Sequence, residues 1–417
     1  MLHTADASTV RRHNSSVLLG LIWSSQGISR ADLARASGLS RSTVSSIVNE
    51  LIDAGVLRES PSEASGVGRP PVLLDFCVER FLLVGIDMGS SHLAVGVTDL
   101  RGNIRAIARA DCDVQGDAPS TLRLMRQQVD RCLAEADAPG AHVLGIGLSV
   151  PCPVDLADPD ALSPRILPGW ADIRPAEMLR YNYGVPVFTD NDANLGALAE
   201  KWWGAGRDVG DFAYIKVATG VGAGHIIDGR IYRGAGGIAG EIGHTAVDAH
   251  GPRCRCGLNG CLEAMIGAPA VARSVRALLA SGRTSVLDPS DLSPAAIATA
   301  AHAGDPVALE VVQEAGRYLG IAVANLLNLL NPSTVILGGS LTQANDLLLI
   351  PLRRTVRDRA LWNSIAGADV VLSPLGQNAV LLGAAGRVLQ SALDDPDLFP
   401  TTRNSAVQPA PAPPRRI

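Results

Sequence analysis

The sequence predicts an α/β protein: an N-terminal winged helix-turn-helix followed by two α/β lobes that face each other across a cleft. Three observations predict it. Residues 14–55 hold three short amphipathic helices separated by capped turns. A strand, a Gly-rich turn and a second strand occur twice, in FLLVGIDMGSSHLAVGV and in FAYIKVATGVGAGHII, which points to a duplicated lobe. Between these and the C-terminal helices lies GGIAGEIGHTAVDAHGPRCRCGLNGCLE, from Gly236 to Glu263, which sets His244, Cys254, Cys256 and Cys261 within eighteen residues.

The chain of 417 residues suffices for two or three domains, and a hydrophobic content of 47% supplies sizeable cores. A formal net charge of −5 excludes a globally basic nucleic-acid binder but not a local DNA-reading module. Only two lysines occur, Lys201 and Lys216, with Arg elsewhere, which reads as genome composition. Cys77, Cys112, Cys132 and Cys152 are too widely spaced for a disulfide framework. With no signal segment and no apolar run of about 18 residues, a cytoplasmic protein with no membrane partner is expected.

Residues 1–75 are expected to form the DNA-reading module. After a disordered lead-in over residues 1–9, Asn14 caps a helix with Val17, Leu18, Leu21 and Ile22 on one face. Ser29 caps a second, closed by Gly38 in a left-handed turn with Leu39 beneath it. Ser40 caps a third, which buries Val44, Ile47, Val48 and Leu51 and ends at Gly55. Helix, short turn with Gly, helix is the helix-turn-helix pattern. Arg41, Ser42, Thr43, Ser45, Ser46 and Asn49 face outward as candidates for phosphate and base-edge contacts. Val56–Glu59 and Val72–Leu74 pair as a wing, with Arg69 at its tip to reach a minor groove or a phosphate. The module carries seven Arg and seven acidic residues, so charge does not separate DNA binding from a protein-interaction domain. The capped turns, the polar front of the third helix and the Gly-rich wing agree on DNA.

In the first lobe, residues 76–190, a buried strand delivers Asp87 to the turn at Gly89, whose amides are candidates to face a phosphate. A helix spans Pro119–Ala136, and strand His142–Val150 enters the loop PCPVD. Strand Val185–Thr189 then leads into Asp190, Asn191 and Asp192 before a helix from about Ala193. One such side chain suffices as a cap; three point to a site that binds sugar hydroxyls or takes a proton from one. In the second lobe, residues 191–393, Thr219, Gly220 and Gly222 form a second candidate phosphate turn. Helices follow over Gly267–Ala280, Ser293–Ala303 and Pro306–Asn331, then a strand into Gly338-Gly339 and a final strand and helix. Residues 394–417, rich in Pro and Ala, are expected to be disordered.

His244, Cys254, Cys256 and Cys261 are the donor types of a closed tetrahedral Zn²⁺ site. No coordination position is left open, so the metal is expected to be structural, holding the loop that presents Glu241 and Glu263.

AGEIGH followed by CRCGLNGCLE resembles the signature of the ROK family of bacterial sugar-responsive repressors and sugar kinases. The resemblance runs from Phe81 to about Ala392, and the helix-turn-helix matches the repressor branch. It implies two actin-like (ribonuclease H-like) lobes closing on a sugar. It also implies zinc on His244, Cys254, Cys256 and Cys261, and sugar contacts from Asn191, Asp192, Glu241, His244 and Glu263. Asp192 matches the catalytic base of the kinases, which use ATP and Mg²⁺. Those kinases usually carry Asp-x-Gly-Gly-Thr in the first phosphate turn; here it reads Asp87-Met88-Gly89-Ser90-Ser91, and Cys152 stands where they commonly have Gly. Ser90 adds a side chain where backbone should approach phosphate. The expectation is a sugar-responsive regulator, a repressor, acting as a homodimer or homotetramer on a two-fold-related operator. Its effector is a sugar or sugar phosphate, and kinase activity is residual or lost. The alternative is an ATP-dependent hexose or N-acetylhexosamine kinase with an appended DNA module.

Overall fold

The computed structural model describes residues 6–25, 27–61, 72–361 and 367–399. The three N-terminal helices are α1 (Ala7–Ser25), α2 (Arg30–Ser37) and α3 (Arg41–Asp53). Ser29 and Ser40 accept from the amides of Asp32 and Thr43, and Gly38 closes α2 at φ 70°. α1 begins ahead of the expected cap at Asn14, inside the stretch read as a lead-in. Asp6 supplies the cap, accepting from the Thr9 amide at 2.8 Å and from Ser8 Oγ at 2.7 Å, so Asn14 lies mid-helix. The wing strands β1 (Leu57–Pro61) and β2 (Val72–Phe76) pair antiparallel, Leu57 opposite Phe76. Arg69, the expected wing tip, lies outside the described residues.

The first lobe is built on β3 (Phe81–Met88), β4 (His92–Thr98), β5 (Ile104–Asp111), β6 (His142–Val150) and β7 (Val187–Asn191), with α4 (Ala118–Glu135) and α5 (Pro175–Tyr183). Its sheet order is β5-β4-β3-β6-β7: an antiparallel meander, then two parallel strands. A helix, α6 (Asp192–Trp203), leads to the second lobe. There β8 (Phe212–Val217), β9 (Val221–Ile227), β10 (Arg230–Tyr232), β11 (Thr334–Gly338) and β12 (Asp369–Leu372) repeat the pattern in the order β10-β9-β8-β11-β12. The strand–turn–strand doubling in the sequence is thus a doubling of whole sheets.

The second lobe also holds α7 (Leu262–Ile266), α8 (Ala268–Ala280), α9 (Pro294–His302), α10 (Pro306–Leu330) and α11 (Asp346–Arg359), and the chain closes on α12 (Ala379–Asp394). The sequence reading passes over α11, because Pro351 interrupts the helical pattern. Packing on α10 compensates: Gly316 lies so close that a Cβ there would sit 2.5 Å from the Leu348 carbonyl oxygen.

α12 alters the expected lobe boundary. Assigned by position to the second lobe, it packs instead on β3 and β6 of the first sheet. Val388 and Leu389 share one core with Leu18, Leu19 and Ile22 of the DNA module and with Phe76, Phe81 and Leu83. The expected disordered tail also starts too early. Residues 396–398 form a 3-10 turn, and Phe399 is fully buried, edge-on to Phe81 at 5.3 Å between ring centroids. This aromatic anchor holds residues 396–399, the head of the stretch that composition alone marks as disordered. The DNA module is therefore joined to the first lobe by a common core. α6 also reaches it: Trp202 meets Trp23 of α1 at 5.4 Å, and Arg101, bonded to Asp75 at 2.6 Å, lies over the Trp23 ring. Among the described residues no helix is long and apolar enough to cross a membrane.

Candidate functional site

The three polar residues where β7 passes into α6 do three different jobs. Asp190 is buried and accepts from both Arg233 nitrogens, at 2.8 and 2.5 Å, and from Asn194 Nδ2 at 3.2 Å. It is a structural anchor rather than a ligand contact. Asn191 caps α6, its Oδ1 accepting from the Ala193 and Asn194 amides. Its Nδ2 donates to the Cys152 carbonyl at 3.2 Å and ties down the Pro151–Pro153 loop. Asp192 is neither anchor nor cap; its carboxylate faces the cleft, where Lys216 Nζ donates to its Oδ2 at 2.8 Å.

The opposite wall brings in the remaining expected residues. Glu241, His244, Glu263, Thr219, Gly220 and Gly222 line the same cleft as Asn191 and Asp192. Glu263 is nearly buried; its Oε2 accepts from the Val221 amide at 3.0 Å and its Oε1 from Arg255 Nε at 2.7 Å. Burial pushes the Glu241 carboxyl above its ordinary range; the His244 charge opposes this, and the nearby Asp192 and Glu263 charges reinforce it. Asp87 lies at the foot of the first phosphate turn. Burial works against its charge, but Lys216 and His92 outweigh that and hold it below the usual carboxylate range. His92 Nε2 is 3.3 Å from Asp87 Oδ2, and the same ring covers Gly89. Burial likewise opposes the charge on Lys216, yet Asp192 and Asp87 keep its ammonium protonated beyond the ordinary lysine range. Lys216, His92, Arg255 and Arg233 were not assigned to the site from sequence. The rarity of lysine was a usable signal for the first, and the place of Arg255 between two thiols for the third. Nothing local marks Arg233.

The four expected metal ligands converge. His244, Cys254, Cys256 and Cys261 each offer one donor atom, all within 4.8 Å of one another. His244 Nδ1 faces Cys254 Sγ at 3.6 Å, while its Nε2 lies 3.9 Å from Glu241 Oε2, so the ring spans the cluster and the cleft. Gly260, at φ 69°, is required where the loop doubles back; a Cβ there would lie 1.5 Å from the Asp248 carbonyl oxygen. Three thiols and an imidazole in this arrangement fit a tetrahedral metal ion.

On α3, Arg41, Ser42, Ser46 and Asn49 are exposed, and Thr43 and Ser45 are half-buried. Thr43 Oγ1 is 2.8 Å from Ser40 Oγ and serves the cap as much as the surface. Two further cations adjoin this face: Arg11 donates to Ser46 Oγ at 3.1 Å, and Arg30 to Asn49 Oδ1 at 2.8 Å. Sequence order hid them, because they come from α1 and α2.

Comparison with known proteins agrees with this layout. A winged helix-turn-helix DNA-binding profile matches residues 16–58, and the ROK family profile matches residues 83–391. The chain is 34% identical over 391 residues to the xylose repressor of Bacillus subtilis (strain 168), covering 94% of this chain and 98% of that one. It resembles the crystal structure of a ROK family transcriptional regulator described as a homolog of the E. coli MLC protein, with TM-score 0.79 and 30% identity over 93% of this chain and 98% of that one. A ROK family glucokinase from Streptomyces griseus, solved with glucose and AMPPNP, matches with TM-score 0.63 and 29% identity, covering 73% of this chain and 98% of that one.

Proposed function

Because this chain belongs to the ROK family and carries a winged helix-turn-helix, we propose that it is a transcriptional repressor whose operator affinity is altered by a sugar bound between its lobes. One observation carries the reading. α6 starts at Asp192 in the cleft and ends at Trp202 and Trp203, against Trp23 of the DNA module. A sugar that takes hydrogen bonds from both lobes favours the closed form, and α6 passes that bias to α1. The shift in DNA affinity cannot exceed the sugar's preference between the open and closed forms.

Asp192 and Glu263 accept from sugar hydroxyls, and Glu241 and His244 Nε2 complete the rim; Asn191 shapes it. His244, Cys254, Cys256 and Cys261 hold a structural Zn²⁺, which keeps the loop bearing Glu241 and Glu263 rigid. Arg41, Ser42, Ser45, Ser46 and Asn49 face the operator, with Arg11 and Arg30 beside them. Exposed Leu329, Leu330 and Leu361, at one end of α10, suit an interface between two copies reading a two-fold-related site.

The test is fluorescence anisotropy with DNA from upstream of the protein's own gene, titrated with D-xylose, D-glucose, N-acetyl-D-glucosamine and their phosphates. One of these is expected to weaken DNA binding. Arg41→Ala should weaken DNA binding and leave sugar affinity unchanged. Asp192→Asn should bind DNA normally but lose about 1.5–3 kcal/mol of sugar affinity, the worth of a charge-assisted hydrogen bond. No DNA binding, together with sugar-dependent ADP release at roughly 1–100 per second, would replace this reading with the kinase.

A further inference from the structure

Phosphoryl transfer across such a cleft needs one carboxylate free to take the sugar's proton and another free to face the metal and nucleotide. Here a protein cation is already hydrogen-bonded to the first, and its charge acts on the second. Lys216 lies on β8 between Ile215 and Val217, which face the core, so its side chain points the other way. Its neighbours across the sheet are Gly222 on β9 and Gly338 on β11. No Cβ stands beside its stem on either side, and the ammonium runs on to Asp192. It donates to Oδ2 at 2.8 Å, the two side chains only 11% and 17% exposed. Asp87, from the first lobe, feels the same charge; His92 faces one of its oxygens at 3.3 Å, and the other is buried with no hydrogen bond among the described residues.

The choice of residue carries information. Of 36 basic side chains, 34 are Arg, and Lys201 and Lys216 are the exceptions. A guanidinium is a broad planar fork, whereas an ammonium is a compact point charge, the side chain nearest in form to a small metal ion. In a chain that uses Arg almost everywhere, a buried Lys paired with the cleft carboxylate of Asp192 reflects a chemical requirement. It is not the compositional habit that the sequence first suggests.

We propose that Lys216 stands in for the divalent cation of a phosphoryl-transfer cleft. It neutralises Asp87 and Asp192 from within, excludes Mg²⁺ with its nucleotide, and leaves the cleft to bind sugar alone. The Mg²⁺–nucleotide pair that the family's kinases use therefore does not fit this chain. A metal ion placed between these carboxylates meets a like charge, and expelling that charge unpairs a buried ammonium. This role deepens the sugar-cleft reading above, but cation exclusion is measurable with no sugar present.

The experiment uses the full-length, zinc-loaded protein. Mn²⁺ is titrated and its free form read by electron paramagnetic resonance; Mg²⁺·AMPPNP binding is read by calorimetry. Wild type is expected to show no saturable Mn²⁺ site. Lys216→Ala should gain one site per chain, at least about tenfold tighter than any wild-type binding, and Asp87→Asn added to it should abolish the gain. Lys216→Met keeps the stem and serves as the second variant, with zinc content and circular dichroism reporting the fold of both. A wild-type Mn²⁺ site as tight as that of the variants, or no gain in a folded variant, overturns the proposal. Failure of the sugar-cleft reading shows separately, as absent sugar binding in wild type with the Mn²⁺ results unchanged.

Discussion

Removing the Arg233 guanidinium should destabilise the protein and slacken the cleft together. Arg233 donates to both oxygens of Asp190, which is 1% exposed. In Arg233→Met the buried carboxylate keeps the Asn191 amide at 2.8 Å and Asn194 Nδ2 at 3.2 Å but loses its direct counter-charge. Arg387, held over the Phe188 ring and itself disfavoured by burial, offers a weaker substitute. Breaking a buried pair from one side costs about 3–5 kcal/mol. The two remaining donors and Arg387 place this case near the lower end, about 3 kcal/mol. Asp190→Asn in the same background should recover at least about 1 kcal/mol, since the uncompensated charge is then gone. Arg233 also accepts from the Ala239 amide through its carbonyl, at 3.1 Å, so the loop leading to Glu241 starts from this anchor. Sugar affinity should therefore fall with stability. Urea unfolding followed by circular dichroism, with slopes compared, gives the first quantity, and calorimetry the second. A loss below about 1 kcal/mol at unchanged slope would mean that the pair behaves like a screened surface pair. The structural role of Asp190 would then be wrong.

Three further predictions follow from other parts of the molecule. Metal analysis of wild type should show about one zinc per chain; Cys256→Ser should lose it and bind sugar about tenfold more weakly, and full sugar affinity in the metal-free variant would contradict the role given to the loop. Trp23→Ala should still bind DNA and sugar separately, but sugar should no longer release the DNA in anisotropy measurements; a preserved response would rule out α6 as the path. Glu200, buried on α6, accepts from Ser373 Oγ and from the Ala205 amide at 2.8 Å, yet burial outweighs both and raises its carboxyl. A folded value above the unfolded one makes the wild type lose stability as pH rises from the ordinary glutamate value, about 4.3, to the folded one. Glu200→Gln should gain on wild type across that window in unfolding midpoints, and a difference independent of pH would refute the assignment.

What the sequence determined by itself is whatever depends on short spacing. Ser29, Ser40 and Gly38 punctuate the helices as read, because a cap is an interaction within three or four residues. The four metal donors lie within eighteen residues, so the loop has little choice but to bring them together. The doubled strand–turn–strand pattern shows two similar lobes, since hairpins are local too. Tertiary structure decided what each polar group meets. Asp190, Asn191 and Asp192 carry one undivided signal in the sequence. In the fold they become an anchor for Arg233, a helix cap and a cleft carboxylate, because side chains 43 and 24 residues away face the first and the last. The same holds for α12, which returns to cover the first sheet, and for Phe399, which fills the core beneath the DNA module. Periodicity and capping are short-range energies written along the chain, whereas the partner of a buried charge is chosen by topology, which only the packed lobes supply.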